Sequence, residues 1–195
     1  MTDKPVYDCI MQRRSIRRFQ QTKIQLEVLN RLLNAARVAP SAANKQPLEY
    51  IIITNRDLRE KVFQTLKWAA YIAPEGTPQE EEKPAAYIIV LVNNYHKGPD
   101  FARDAGAAIE NILLAATEEG LGTCWLRSID FDRIVKIFDM PDHIEVDSVI
   151  ALGYPAESPK IVDLTESVRY FRENGVHLVP KRLLENIMHV DGYSI

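Results

Sequence analysis

The chain has 195 residues, 46% of them hydrophobic and 26% charged, with 24 Lys+Arg against 27 Asp+Glu and a formal net charge of −3. This is the composition of a folded chain of single-domain size, and its slight acidity excludes a general nucleic-acid binder, which carries a basic surplus. The two cysteines, Cys9 and Cys124, are too few for a disulfide framework or a four-cysteine zinc site. No apolar run reaches the ~18 residues that cross a bilayer. The opening stretch MTDKPVYDCIMQRRS lacks the apolar core and small-residue cleavage site of a secretory leader. The expectation is a single domain over 1–195 in a reducing compartment, with a cytoplasmic location and no membrane partner.

In chain order, residues 5–14 read as a short helix, with Val6, Tyr7, Ile10 and Met11 at helical spacing. Four arginines, at 13, 14, 17 and 18, follow at its C-terminal end, where positive charge complements the helix dipole. Leu26, Leu29, Leu32, Leu33 and Ala36 mark a second helix, closed by Pro40. The segment Ala39-Pro-Ser-Ala-Ala-Asn-Lys-Gln-Pro47 is a loop rich in turn formers, and Tyr50–Thr54 is a β-branched buried strand. Residues 57–70 read as a helix. The stretch 73–84, with three prolines, a glycine and a run of acids, reads as a mobile surface loop. A strand over Ala86–Val92 precedes the longest helix, 101–119, whose inner face is Ala105, Ala108, Ile109, Ile112, Leu113 and Ala116. Its small residues at 105–108 would admit another helix closely. Gly120 and Gly122 end it. A strand at Thr123–Leu126, a helix at Phe131–Phe138, a strand at Asp147–Leu152 and a last helix at 181–189 complete the reading. Strands and helices do not alternate strictly, so the fold class is α+β, a central sheet covered by helices.

Three segments carry candidate chemistry. Arg13-Arg14-Ser15-Ile16-Arg17 places guanidinium forks beside a hydroxyl, a donor set that matches a phosphate monoester; the plain alternative is a solvated basic turn. In the second, Ser41, Asn44 and Gln46 sit between two prolines, and amides that both donate and accept suit a heterocycle edge as well as they suit local turns. In the third, Gly120–Ser128, glycines could permit a close ligand or simply cap a helix. It is no dinucleotide fingerprint, because the third glycine is missing and a helix, not a strand, precedes it. The four histidines are scattered without metal-ligand spacing, so no metal site is expected, and Cys124 reads as a core thiol.

As a set and in this order, R-R-S-x-R, A-P-S-x-x-N-x-Q-P, G-L-G and the Leu152-Gly-Tyr-Pro155 segment resemble the FMN-dependent nitroreductase family over most of the chain. The resemblance implies a central, mostly antiparallel sheet flanked by helices, and an intertwined homodimer with two FMN molecules between the subunits. Carried over by position, Arg13, Ser15 and Arg17 hold the phosphate and the ribityl or pyrimidine side, and Arg14 is a neighbouring contact. Pro40, Ser41, Ala42, Asn44 and Gln46 come from the other subunit. Trp125, Leu126, Arg127 and Ser128 run past the isoalloxazine, with a backbone N–H near Ser128 facing flavin N5. Lys181 and Arg182 are a last basic phosphate contact. The chain departs from the pattern at Arg127, where the family has a small or acidic residue, so the charge beside the flavin is altered.

The implied activity is an oxidoreductase in which NAD(P)H reduces the flavin by hydride transfer. Nitroaromatics, quinones or similar small acceptors then reoxidise it in ping-pong order, with no side chain serving as catalytic acid or base. The alternatives are a relative with another reaction (enone reduction, dehalogenation, flavin fragmentation) and a non-catalytic flavin-binding protein. Trp68 and Tyr71 are candidates for a lid over the cleft, or else half-buried helix aromatics.

Overall fold

A computed structural model describes residues 5–193; the first four residues of the stretch read for a leader lie outside them. Five α-helices and two sheets form the described residues. They are α1 (Pro5–Gln12), α2 (Leu26–Arg37), β1 (Leu48–Ile53), α3 (Arg56–Phe63), β2 (Ala86–Asn93), α4 (Phe101–Glu118), β3 (Gly122–Leu126), α5 (Phe131–Phe138), β4 (Ile144–Gly153), β5 (Lys160–Asp163), β6 (Phe171–Glu173) and β7 (Val176–Lys181). The main sheet has the order β1-β2-β4-β3 with every pair antiparallel. This is the α+β architecture expected from the sequence.

Both faces of that sheet are covered, which is why β2 and β4 read as continuous apolar runs. On one face Ile88, Val90, Ile150 and Leu152 pack against Leu29, Leu32 and Ala36 of α2 and the inner row of α4. That inner row is the predicted one, and Ala105 and Ala108 let α2 lie close. On the other face Tyr87, Ile89, Val149, Ala151, Cys124 and Leu126 meet Ile16, Phe19, Val62, Leu66, Trp68 and Ile134. Helices α3 and α5 start where side chains satisfy free amides: Asn55 accepts from the Leu58 N–H and Asp130 from that of Arg133.

Two expected helices differ. The run 57–70 is helical only to Phe63; Leu66 then pairs antiparallel with Ile129, and Ala69 turns left-handed at φ 37° before a single 3₁₀ turn over Ala70–Ile72. In place of a helix at 181–189, Lys181 ends β7 and only Leu184–Asn186 makes a 3₁₀ turn. The region after Tyr154 forms a second sheet that the sequence reading missed, ordered β5-β7-β6, with β5 parallel and β6 antiparallel to β7. The stretch 73–84 is tied down at its C-terminal end: Lys83 bridges Glu60 (2.7 Å) and Glu80 (2.5 Å), and the Glu82 carbonyl accepts from the Phe19 N–H. Among the described residues no helix is long and apolar enough to cross a membrane.

Candidate functional site

The arginine segment leaves α1 and lies along the edge of the main sheet. The Ile16 N–H donates to the Thr123 carbonyl (2.8 Å), so residues 15 and 16 extend β3 by one bridge. Two glycines make room. A Cβ at Gly122 would stand 2.7–2.9 Å from the Ile16 side chain, and one at Gly153 would stand 2.8–3.0 Å from Phe19. The segment is therefore seated by backbone contact, and its polar side chains are left for other work.

Those side chains are poorly neutralised. Arg13 pairs with Glu110 of α4 at 3.3 Å. Among the described residues Arg14 donates only to the carbonyls of Met11 and Arg13, and burial, then the charge of Arg13, lowers its pKa. The Ser15 hydroxyl has no hydrogen bond among the described residues. Arg17 lies under the second sheet. Its guanidinium stacks over the Tyr170 ring at 5.1 Å and reaches His177 Nε2 at 3.4 Å, while its Nε is buried without a partner. Its backbone N–H donates to Glu157 (2.6 Å), whose other oxygen binds Arg172 at 2.6 Å.

His177 was passed over in the sequence because its neighbours come from distant residues. It is 2% exposed and held near a pKa of about 4, first by burial, then by the charge of Arg17; Glu157 pulls the other way. It is therefore neutral at pH 7, and its Nε2 can accept from Arg17. A base whose folded pKa lies below its unfolded value of 6.5 costs stability as the medium turns acid. Its stabilising contribution is full above pH 6.5 and is lost as pH falls towards 4. The unfolding free energy of His177→Gln should depend less on pH than that of the parent between pH 6.5 and 4. Urea titrations at pH 7 and pH 5 measure it, and equal pH dependence in the two proteins would contradict the assignment.

The loop after α2 sits elsewhere on α4. Asp104, buried in the first turn of α4, accepts from the Ala42 N–H at 2.9 Å, and its second oxygen is buried without a partner. Ser41 Oγ accepts from the Gln46 N–H. Ala43, Asn44 and Gln46 all adopt left-handed φ values of 48–53°, a cluster of costly conformations that the prolines and Asp104 hold in place. Pro40, Ser41, Gln46, Tyr50 and Asp104 line a cleft of 460 Å³, and burial pushes the Tyr50 hydroxyl up to about 12. No hydrogen bond or ion pair joins this loop to the arginine segment among the described residues. Asp104 and Glu110 are six residues apart on α4, which separates their attachments by about 9 Å along the helix and about 120° around it. One chain therefore presents the two groups of candidate residues on different sides of α4.

The remaining candidates are spread along the same molecule. Trp125 is 40% exposed in an otherwise buried strand, Leu126 faces the core, and Arg127 and Ser128 are exposed. Trp68 is a core side chain packed on Phe63 at 5.9 Å. Tyr71, 54% exposed, meets the Tyr170 ring at a tilt of 49° with centroids 4.9 Å apart and lies under Arg169, so the region proposed as a lid touches the segment leading into β6. Lys181 and Arg182 are exposed at the end of β7, and Arg182 donates to the Asn186 carbonyl. Cys124 is buried, and burial raises its thiol pKa, as suits a core residue.

Residues 10–154 match the family model described as Nitroreductase family. A protein of Methanothermobacter thermautotrophicus with the provisional name NADH dehydrogenase/NAD(P)H nitroreductase is 34% identical over 173 residues, covering 86% of each chain. A protein of Thermotoga neapolitana named iodotyrosine deiodinase is 28% identical over 182 residues, covering 86% of this chain and 98% of its own. Among solved structures, a provisionally named nitroreductase of Desulfovibrio desulfuricans, crystallised with FMN, has 25% identity and a TM-score of 0.69. The match covers 99% of this chain and 100% of that one.

Proposed function

The chain belongs to the nitroreductase family, and from that membership we propose that it is an FMN-dependent enzyme that uses NAD(P)H to reduce small electron acceptors. The observation that carries the cofactor reading is the donor set of the arginine segment. Three guanidinium groups and a hydroxyl lie within five residues, and among the described residues Glu110 is the one carboxylate that pairs with those guanidinium groups while the hydroxyl has no hydrogen bond. The buried, unpartnered Arg17 Nε adds an unused donor beside the same segment. A phosphate monoester supplies the missing negative charge and acceptor oxygens.

FMN would supply two-electron transfer between nicotinamide and acceptor. The chain's part is to bind and orient. Arg13, Ser15 and Arg17 would hold the phosphate and the ribityl or pyrimidine side, Arg14 would be a neighbouring contact, and the exposed backbone at Arg127–Ser128 would run beside the ring. Lys181 and Arg182 would add a last basic contact. Pro40, Ser41, Ala42, Asn44 and Gln46 would serve the site of a second copy, because they stand on another side of α4. The apolar face of α1 (Val6, Tyr7, Ile10, Met11) and the apolar side chains of 183–193 are exposed in the single chain, which supports a homodimer that covers them. In this reading residues 1–195 act as one FMN-binding domain in the cytoplasm, where nicotinamide and thiols are kept reduced.

For a quinone the overall reaction is NAD(P)H + H⁺ + quinone → NAD(P)⁺ + hydroquinone, and a nitroaromatic takes the same two electrons and two protons to give a nitroso compound and water. Donor and acceptor share one cleft in turn, so the kinetics are ping-pong and no side chain is required as an acid or base. One relative's name, iodotyrosine deiodinase, favours reductive dehalogenation as a second reading. The purified protein should be yellow, release FMN on denaturation, and bleach anaerobically with NADH or NADPH. Reoxidation by a quinone, a nitroaromatic and an iodinated tyrosine then ranks the acceptors. A protein that takes up no FMN overturns the cofactor reading, and one that binds FMN without bleaching overturns the enzymatic one.

A further inference from the structure

Beside the Trp125–Ser128 segment the chain builds a short ladder. The Lys67 N–H donates to the Ser128 carbonyl (2.9 Å), Leu66 pairs with Ile129, and the Asp130 N–H donates to the Thr65 carbonyl (2.8 Å). Leu66 and Ile129 point to the core, so Lys67 and Ser128 lie on the solvent side, next to exposed Arg127. Neither Lys67 nor Arg127 has a side-chain hydrogen bond or ion pair among the described residues. The nearby carboxylates are otherwise placed. Asp130 caps α5, Asp132 lies in the first turn of α5, where it complements the helix N-terminus, and Glu60 is bridged to Lys83. Two unpaired cations thus flank one exposed residue, with the exposed face of Trp125 two residues away.

We propose that Lys67 and Arg127 select an anionic aromatic acceptor, one whose ring carries a carboxylate or an equivalent negative group, at this exposed edge beside the proposed flavin position. The inference rests on the flavoenzyme reading above and names the substrate class of that same site. An uncharged ring gains nothing from the pair, whereas a carboxylate gains two charge-assisted contacts. Exposed ion pairs are individually weak, and two together amount to roughly a tenfold preference at low salt, shrinking as salt rises.

The test uses the FMN-loaded protein with 4-nitrobenzoate and 4-nitrobenzamide, isosteres that differ by one charge. Two-electron reduction is balanced as ArNO₂ + NAD(P)H + H⁺ → ArNO + NAD(P)⁺ + H₂O. The neutral amide withdraws electrons more strongly, so reducibility alone favours it; a lower KM for the benzoate therefore reports binding. The redox-inert pair, benzoate and benzamide, gives dissociation constants by calorimetry without turnover. Expected are a roughly tenfold preference for the anion in both measurements, its collapse in the Lys67→Gln/Arg127→Gln double variant, and its retention in Arg127→Lys. Equal affinity for the two compounds overturns the inference. So does a preference that survives the double variant, or a loss confined to the KM for NAD(P)H. Failure of the enzymatic reading looks different: neither nitro compound is reduced, while the benzoate–benzamide comparison still decides the charge question.

Discussion

Glu157→Ala should lower the unfolding free energy by ~3–5 kcal/mol, the usual cost of removing one partner of a buried ion pair. Glu157 and Arg172 have side chains only 7% and 13% exposed and meet at 2.6 Å. The same carboxylate accepts from the Arg17 N–H, so it joins the arginine segment to β6 of the second sheet. Its removal leaves Arg172 without its anion in a poorly hydrated place and Arg17 without its amide acceptor. Glu157→Gln keeps an acceptor for the amide and should lose less. Urea unfolding at pH 7, followed by circular dichroism, measures both variants. A loss below ~1 kcal/mol for the alanine variant would mean that the pair behaves like a solvated surface bridge.

Gly122→Val should weaken FMN uptake by at least roughly tenfold while also costing ~1–3 kcal/mol of stability, the usual penalty of overpacking. The new Cβ would fall 2.7 Å from Ile16 Cγ1 and 2.8 Å from its Cβ, atoms that no rotamer change moves far enough away. Ile16 lies inside the arginine motif, between Ser15 and Arg17, and its N–H is fixed on Thr123. Relief of the clash must push the motif off the sheet edge and move Arg13, Ser15 and Arg17 together. Fluorescence titration with FMN measures the binding loss. Gly106→Ala is the control, because a Cβ there meets nothing. Unchanged FMN affinity in Gly122→Val would separate the motif from the cofactor.

Much of the fold was legible because local pattern and burial agree. The inner row of α4 was found residue by residue, since an 18-residue helix with one buried face repeats its signal several times over. The failures lie where tertiary pairing overrides pattern. Leu66-Lys-Trp-Ala-Ala70 has helix-forming composition, yet Leu66 and Lys67 are taken by Ile129 and Ser128 across a ladder. Residues 183–188 have apolar side chains at helical spacing, but in the single chain they have no apolar surface to pack against and form one 3₁₀ turn. The second sheet was missed because its strands are three to six residues long, with β5 and β6 mostly exposed and β7 half-buried along most of its length, so they carry little alternation. At the site, the residue types were readable from the motifs, whereas the surroundings of Arg17 were not. Tyr170 and His177 are more than 150 residues away in sequence, and no spacing rule joins them to an arginine near the start.

The uncovered apolar face of α1 has a thermodynamic consequence for the proposed dimer. If each cofactor touches both subunits, the cofactor and the second chain are ligands of the same folded state, and each raises the apparent affinity for the other. Free FMN at about 100 times its dissociation constant then adds ~2.7 kcal/mol to the loaded form. Melting temperature and quaternary state become joint functions of two concentrations. A dilute, cofactor-poor sample would lose its partner and its colour in one transition.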